Sequence, residues 1–378
     1  MLVKGGKRLS ERWYGMYYTE ITKIIEAGLK KDNVKVANYS KLLAQKLDKD
    51  GEERASKRII SILEKMDSKS YAVMDTLSSL PVDQESRMNL AEIDYSPSCE
   101  NIILSDTVQE MLDDFQNTIK CKEKMKSVGL DFRTTLLLYG PPGCGKTSVA
   151  RYIASKLNLP LVTARFDTLI SSLLGSTAKN IHRIFEYAKK QHCVLFLDEF
   201  DAIAKARDDS HEMGELKRVV NSLLQNIDDF AENGILIAAT NHAGLLDTAV
   251  WRRFETIVEL AKPESEEIIK YLSYFPKIVN EDGISEAQWK IIADMMVDLS
   301  YSDIKDIVQN LYKKAILEKK DEIEVIDFLQ EIFLFRNHGN YKKDDLFQYI
   351  VGSGISQNST ARYFAVSTRQ VRKSLGKG

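Results

Sequence analysis

The sequence has few cysteines, no long apolar run and almost no net charge. Its 378 residues include four cysteines, none of which forms a Cys-x-x-Cys pair or stands near clustered histidines. Neither a disulfide framework nor a zinc site is therefore indicated, and a reducing compartment is expected. No apolar run approaches the ~18 residues of a membrane span, and the N-terminus lacks the apolar stretch of a signal peptide. These absences predict a cytoplasmic protein that does not enter a membrane.

The charge is unevenly distributed, although the net charge is only −2. Residues 341–378 contain seven Lys or Arg and two Asp, so this segment carries +5 and the rest of the chain carries −7. Overall neutrality argues against a protein that coats nucleic acid along its whole surface. It permits a local basic contact at the C-terminus.

Hydrophobic periodicity divides the chain into five segments. Helical spacing predicts a three-helix module over residues 1–70, and a stretch rich in serine with two prolines predicts a linker over 71–98. Short apolar runs alternate with amphipathic helices over 99–262, which predicts an α/β domain with a parallel sheet. Four further helices predict a small helical domain over 263–338, and a basic segment follows over 339–378.

A glycine-rich segment between a predicted strand and a predicted helix has a phosphate-binding pattern. The pattern Gly-x-x-x-x-Gly-Lys-Thr, with the residue after it, comprises Gly140, Pro141, Pro142, Gly143, Cys144, Gly145, Lys146, Thr147 and Ser148. Backbone N–H groups of such a loop hold phosphate oxygens, and Lys146 is expected to reach the β- and γ-phosphates. Thr147 is expected to bind Mg²⁺. A plain strand-to-helix turn is the less favoured interpretation, and Cys144 is interpreted as a small loop residue rather than a redox switch.

A second apolar strand, further along the chain, ends in two carboxylates. The run Val194–Leu197 is followed by Asp198 and Glu199. Asp198 is expected to position Mg²⁺, and Glu199 to polarise the water that attacks the γ-phosphate of ATP. Alone, the two acids could simply cap the next helix. Together with the phosphate loop, they predict ATP hydrolysis.

Two further segments follow the phosphate loop and the two acids. Ile235–Thr240 precedes Asn241, and Leu246–Glu255 contains the run Leu-Asp-Thr-Ala-Val-Trp-Arg-Arg-Phe. Together the four motifs resemble those of the AAA+ ATPases, and among them the AAA family proper, which includes FtsH and stand-alone bacterial relatives. The resemblance implies that Asn241 is a sensor and that Arg252 and Arg253 serve the ATP of a neighbouring subunit. A cap or turn role for Asn241 and surface ion pairs for the arginines stay open, as does which arginine acts.

The resemblance extends over Ile102–Leu317 and implies a P-loop parallel sheet with a small helical lid. It implies an ATPase that binds ATP and Mg²⁺, assembles as a homo-oligomeric ring, expected to be a hexamer, and remodels a macromolecular partner, expected to be a protein. A protease is one such partner in similar stand-alone proteins. Two alternatives stay open: an ATPase that acts on DNA through the C-terminal module, and an ATP-dependent assembly switch or scaffold.

Other matches to the family are partial. Tyr301 and Ser302 stand where the family's lid packs on the nucleotide, and Ile102 and Ile103 where a segment contacts adenine. Leu173 stands in place of the aromatic residue with which many relatives grip a polypeptide in a central pore. A pore loop and a buried loop are therefore equally open there, and residues 207–212 could form a second pore loop or solvated surface.

The C-terminal segment 356–373 has the spacing of a helix-turn-helix. Its predicted core is formed by Ala361, Phe364, Val366 and Val371, and Ser367 would cap the second helix, after Ala365 at the place where glycine often makes the turn. The side chains predicted on or beside that helix are Thr368, Arg369, Gln370, Arg372 and Lys373. They suit contacts with DNA, but docking on another protein is equally open.

Overall fold

The computed structural model describes residues 18–29, 33–65, 81, 89–98, 102–166, 174–202, 213–275, 281, 283–339 and 342–376. It divides the chain into two compact units, Met1–Ser79 and Leu80–Gly378. Leu173 and residues 207–212, the positions of the predicted pore loops, lie outside the described residues. Among the described residues, no helix combines the length and the apolar character that crossing a membrane requires.

The described residues of the first unit form three helices, as the periodicity predicts. They are α1 (Tyr18–Leu29), α2 (Asn33–Lys49) and α3 (Glu53–Lys65). An ion pair joins α2 to α1, because Lys46 Nζ lies 2.6 Å from Glu20 Oε1. The hydrogen bond from Lys46 lowers the pKa of Glu20.

The second unit is built on a six-stranded sheet with the order β1-β3-β4-β5-β2-β6. The strands are β1 (Glu92–Asp94), β2 (Thr135–Tyr139), β3 (Leu161–Arg165), β4 (Val194–Asp198), β5 (Ile235–Thr240) and β6 (Thr256–Glu259). Strands β2 to β6 pair in parallel, and β1 lies antiparallel to β3 at the edge. The central strands are nearly continuous apolar runs because helices cover both faces of the sheet. The predicted α/β fold is confirmed.

Helices pack on the two faces of the sheet in separate layers. They are α4 (Asp106–Ser127), α5 (Lys146–Leu157), α6 (Leu174–Lys190), α7 (Met213–Ala231) and the short α8 (Thr248–Trp251). Leu137 faces the apolar cluster that contains residues of α6 and α7, whereas its neighbours Leu136 and Leu138 face the cluster that contains residues of α4 and α5. Successive side chains of β2 thus point to opposite layers.

Strand β1 lies inside the segment that the sequence predicts as a linker, residues 71–98. Leu90 and Ala91 are buried in the same core cluster as α6 and α7, and Ile93 packs against it. The structure therefore corrects the linker prediction over residues 90–94, which pack in this core or pair in the sheet. A three-residue edge strand is too short for its alternation to be recognised among the surrounding serines and prolines.

Within the segment predicted as a small helical lid, residues 263–338, the described residues form four helices, and we call this segment the lid. They are α9 (Ser265–Ser273), α10 (Glu286–Asp294), α11 (Tyr301–Glu318) and α12 (Val325–Arg336), and each begins with a capping box. Helix α10 ends at Asp294. Met296 and Leu299 lie in a turn after the helix but are buried in the lid core, so the apolar pattern continues beyond the helix.

The C-terminal helices share a core with the lid. They are α13 (Lys343–Gly352), α14 (Gln357–Tyr363) and α15 (Thr368–Ser374). Leu346, Ile350 and Ile355 belong to the apolar cluster of the lid. Tyr363 donates a hydrogen bond to Asp327 of α12, and Lys320 Nζ lies 2.6 Å from the same carboxylate. The predicted boundary near residue 339 therefore separates two sequence segments but not two cores.

The carboxylate of Asp327 is expected to hold the C-terminal helices on the lid. Asp327→Ala leaves the Tyr363 hydroxyl and the Lys320 ammonium without this acceptor, and hydrogen bonds to charged groups contribute about 1.5–3 kcal/mol each. We expect the free energy of unfolding, measured by urea titration followed by circular dichroism, to fall by at least the contribution of one such bond, about 1.5–3 kcal/mol. Asp321→Ala, at an exposed position nearby, is the control. Equal stability of the two variants would contradict the role of Asp327.

Candidate nucleotide-binding site

The loop between β2 and α5 contains three glycines with positive φ: Gly140 at 143°, Gly143 at 76° and Gly145 at 88°. A Cβ at Gly140 would lie 2.1 Å from the carbonyl oxygen of Leu260, and one at Gly143 would lie 2.5 Å from Ser300 Oγ. At Gly145 it would meet no atom within 4 Å. Close packing therefore requires the first two glycines, and backbone conformation favours the third.

Lys146 opens α5 and is buried, with 8% of its surface exposed. Its Nζ donates hydrogen bonds to the carbonyl oxygens of Gly140 and Pro141, both at 2.8 Å. Burial lowers the pKa of Lys146, while the carboxylates of Asp198 and Asp201 oppose that effect. A buried ammonium group that is held by carbonyl oxygens gains from an added anion, so the loop fits a phosphate group.

The carboxyl end of β4 places two acids beside the loop. Thr147 Oγ1 donates to Asp198 Oδ2 at 3.2 Å, and the backbone N–H of Glu199 donates to Asp198 Oδ1 at 2.9 Å. Glu199 has a φ of +53°, a conformation that costs a non-glycine residue about 1–2 kcal/mol. Such strain is held by the surrounding structure and is typical of functional positions.

A third acid, Asp201, was missed by the sequence analysis. It is 3% exposed, and its Oδ1 accepts hydrogen bonds from Thr240 Oγ1 at 3.1 Å and from the Asn241 backbone N–H at 3.3 Å. Asp201 thus fixes the position of Asn241 relative to the end of β4. The feature of the sequence that could have revealed Asp201 is an acidic residue in the otherwise apolar run Phe-Asp-Ala-Ile after Glu199.

The sheet brings most of the predicted phosphate-site residues together. Strand β5 lies between β4 and β2, and all three run in parallel. The phosphate loop, the pair Asp198 and Glu199, and Asn241 therefore follow neighbouring strands at one edge of the sheet, where α/β proteins bind ligands.

The lid also contacts the phosphate loop, through the start of α11. The backbone N–H of Ser302 donates to the Gly143 carbonyl oxygen at 3.2 Å, and the Tyr301 hydroxyl donates to the Ile103 carbonyl oxygen at 3.4 Å. The Tyr301 ring also lies edge-on to Tyr271, with 5.0 Å between ring centroids. Burial raises the pKa of Tyr301, so its hydroxyl stays a donor. The segments predicted to surround the nucleotide base thus meet at the loop.

The backbone of Arg253 lies away from the phosphate loop of its own chain. Thr135 Oγ1, at the first residue of β2, donates to the Arg253 carbonyl oxygen at 2.8 Å. The loop follows the last residue of β2, Tyr139, about 13 Å further along the strand. Arg253 Nη2 lies 3.2 Å from Asp228 Oδ2, whereas Arg252 is exposed and has no ion pair with any carboxylate that the structure describes.

The sheet order, the loop and the two acids define a P-loop nucleotide-binding protein. Residues 136–262 match the family described as "ATPase family associated with various cellular activities (AAA)". The chain is 36% identical over 285 residues to the uncharacterized AAA family ATPase y4kL of Sinorhizobium fredii, a match that covers 74% of this chain and 85% of that protein. The chain belongs to the AAA family of ATPases, and it binds nucleotide and hydrolyses ATP.

Other relatives share a part of their length with this chain. The proteasome-activating nucleotidase of Thermococcus onnurineus is 33% identical over 236 residues, which cover 61% of this chain. The chain spans 58% of that protein, less than two thirds of its length. The crystal structure of the FIGL-1 AAA domain superimposes with a TM-score of 0.55 at 20% identity, covering 77% of this chain and 96% of that domain, which supports the fold.

Burial predicts different reactivity for three of the four thiols. Cys144 and Cys193 are buried, and Cys121 is exposed. Burial raises the pKa of Cys144, and it raises the pKa of Cys193 to about 12, so little thiolate is present near neutral pH. We expect iodoacetamide to label Cys121 first and the other two only after unfolding, as measured by peptide mass spectrometry. Labelling of Cys144 as fast as Cys121 would reopen a redox role.

Proposed function

We propose that this chain assembles as a homohexameric ring and uses ATP hydrolysis to remodel a protein partner. The observation that carries the proposal is the geometry of the arginines. The backbone of Arg253 lies beside the first residue of β2, whereas the phosphate loop follows the last residue of that strand, which supports action of this segment on the ATP of a second subunit. The relatives named proteasome-activating nucleotidases act, by their name, on a protein complex, which supports a protein as the partner.

The residues at the loop fit a Mg²⁺ ion that arrives with ATP. Within the described residues, no group of three or more His, Cys, Asp or Glu is placed to hold a metal. Mg²⁺ is commonly bound through one or two carboxylates, waters and the phosphates of its substrate. Thr147 and Asp198, whose side-chain oxygens lie 3.2 Å apart, would hold it. The ion would neutralise charge on the phosphates.

The remaining side chains supply distinct parts of the reaction. Lys146 holds the β- and γ-phosphates by its charge, and the carboxylate of Glu199 polarises the attacking water. Asn241 orients that water or the γ-phosphate through its amide group. Asp201 is a positioning residue, because its hydrogen bond to the Asn241 backbone sets where the amide stands.

Glu199→Gln is expected to bind ATP but not to hydrolyse it. The substitution removes the charge that polarises water and leaves Lys146, Thr147 and Asp198 in place. ATP should remain uncleaved on the purified protein, as measured by nucleotide extraction and phosphate release. Lys146→Ala is the matched control, because it removes the cation of the phosphate site and should weaken nucleotide binding itself. Hydrolysis by Glu199→Gln at the wild-type rate would show that Glu199 is not the base.

The same pair of variants tests the remodelling proposal. Held in the ATP state, Glu199→Gln should form hexamers by light scattering and retain its protein partner through purification. Lys146→Ala should not retain the protein partner. If Glu199→Gln holds ATP but co-purifies with no protein in an ATP-dependent manner, the chain is better described as an assembly switch.

The two arginines have different surroundings, and this assigns them different roles. Arg253 pairs with Asp228, which Arg133 Nη1 also approaches to 3.3 Å, and Arg253 Nη1 donates to the Ala249 carbonyl oxygen. These contacts hold its guanidinium within its own subunit. Arg252 is exposed and is the residue that can extend to a neighbour. Arg252 is therefore the proposed finger, and Arg253 shapes the segment that presents it.

Arg252→Ala should lower the hydrolysis rate by roughly 10³–10⁵ without loss of ATP binding, because a finger stabilises charge on the transferring phosphoryl group. Arg253→Ala should mainly lower the melting temperature. Mixing Arg252→Ala with Lys146→Ala should restore activity, since an interface then combines an intact loop from one subunit with Arg252 from the other. Mixtures that co-assemble and stay inactive would contradict action between subunits.

A further inference from the structure

The three C-terminal helices form a helix-turn-helix with a small core. Phe347 of α13, Ala361 of α14 and Val371 of α15 are buried in one cluster. In the turn between α14 and α15, Ala365 has a φ of +51°, the left-handed conformation that glycine often supplies. Ser367 then caps α15 through a capping box. The direction of α15 relative to α14 is therefore set by the core and by the turn.

One side of α15 carries positive charge that forms no ion pair within the described part of the chain, although Asp344 accepts a hydrogen bond from Ser374 at the end of the same helix. Arg369, Arg372 and Lys373 are exposed and stand at positions i, i+3 and i+4, on the side opposite the buried Val371. None of the three forms an ion pair with a carboxylate among the described residues. Arg372 Nε donates to the uncharged Gln357 at 3.2 Å. We call these three side chains the basic face.

Two other cations near the module are paired. Arg362 lies 3.5 Å from Glu324, and Lys320 lies 2.6 Å from Asp327. Both pairs lie between the C-terminal helices and the lid or within the lid itself. The basic face forms no such ion pair with the residues that the structure describes, and the contacts that attach the module to the lid come from α13, α14 and the residues after α13.

The basic face lacks the side chains that anchor protein interfaces. In the described part of the chain, no large apolar side chain after Leu317 is strongly exposed. Protein interfaces depend on buried apolar and aromatic anchors at their centre. The contacts of nucleic-acid interfaces are mainly hydrogen bonds and ion pairs with phosphates. Charge and composition together favour a polyanion over a protein.

We infer that the basic face binds double-stranded DNA, with α15 in the major groove. In a helix-turn-helix the second helix enters that groove, and the first crosses the backbone. Arg369, Arg372 and Lys373 contact phosphates and base edges. Gln370 does not read bases, because its side-chain oxygen accepts a hydrogen bond from the Ser367 backbone N–H at 2.8 Å.

The module is fixed to the ATPase, so it acts as part of the whole subunit. Tyr363 at the end of α14 is bound to Asp327, and Lys320 Nζ lies 3.3 Å from the Tyr363 hydroxyl. Three cations per copy give weak binding, with a dissociation constant of about 10⁻⁴–10⁻⁶ M for non-specific contacts. In the proposed ring, several copies would add their contacts and raise the avidity; this step alone depends on the proposed function.

Fluorescence anisotropy with a labelled DNA duplex tests the inference on the full chain. The test variant is Arg369→Gln/Arg372→Gln/Lys373→Gln, and the matched control is Lys290→Gln/Lys305→Gln/Lys313→Gln, which removes three exposed charges from the lid helices. The wild type and the control should bind with affinity that falls steeply with salt. The test variant should bind at least tenfold more weakly, and its salt slope should be smaller by about 3 per bound subunit.

Several outcomes would overturn the inference. They are the absence of salt-dependent binding by the wild type, equal binding by the test variant and the control, and equal affinity for an RNA duplex of the same sequence. The last would show general attraction to a polyanion, since the narrow major groove of RNA does not admit a helix. ATP hydrolysis of the test variant should equal that of the wild type, so loss of DNA binding is separable from failure of the ATPase.

Discussion

The parallel pairing of β2, β4 and β5 is the constraint on which the site depends. Parallel strands present their carboxyl ends at one edge, so three segments that are distant in sequence arrive at the same place. Strand β2 delivers the phosphate loop, β4 delivers Asp198 and Glu199, and β5 delivers Asn241. The same arrangement explains why the strands are apolar runs, because helices cover both faces. Buried Asp201 then joins the ends of two of these strands through hydrogen bonds.

The contact between the phosphate loop and the lid connects the carboxyl ends of the strands to the rest of the second unit. Gly143 has no side chain, which lets the start of α11 approach until its Ser302 N–H reaches the loop carbonyl. Shortly after the end of α11 stands Lys320, which pairs with Asp327 and thereby holds Tyr363 of the C-terminal helices. A displacement of the lid would carry those helices with it, since the two share one apolar core. Contacts thus run without a break from the phosphate loop through the lid to the C-terminal helices that carry the basic face.

Local environment separates residues that look equivalent in the sequence. Arg252 and Arg253 are neighbours of the same type, yet one is exposed and the other is held by Asp228. Gln370 stands beside basic residues, but its side chain belongs to a helix cap. Arg253 differs from Arg252 because its partner, Asp228, is remote in sequence. Gln370 differs from its basic neighbours because it accepts a hydrogen bond from the backbone at the start of its helix. Charge and position alone do not reveal such partners.

The sequence by itself determined the fold class, the phosphate loop and the two acids after β4, because these depend on local patterns and on the spacing between them. It also predicted the helices of the lid and of the C-terminal module. Only the tertiary structure decided that β1 belongs to the sheet, since a three-residue edge strand gains its stability from pairing with β3. Likewise, the left-handed conformation of Glu199 and the anchoring role of Asp201 arise from contacts between strand ends. Such contacts exist only after the sheet has formed, so no local pattern records them.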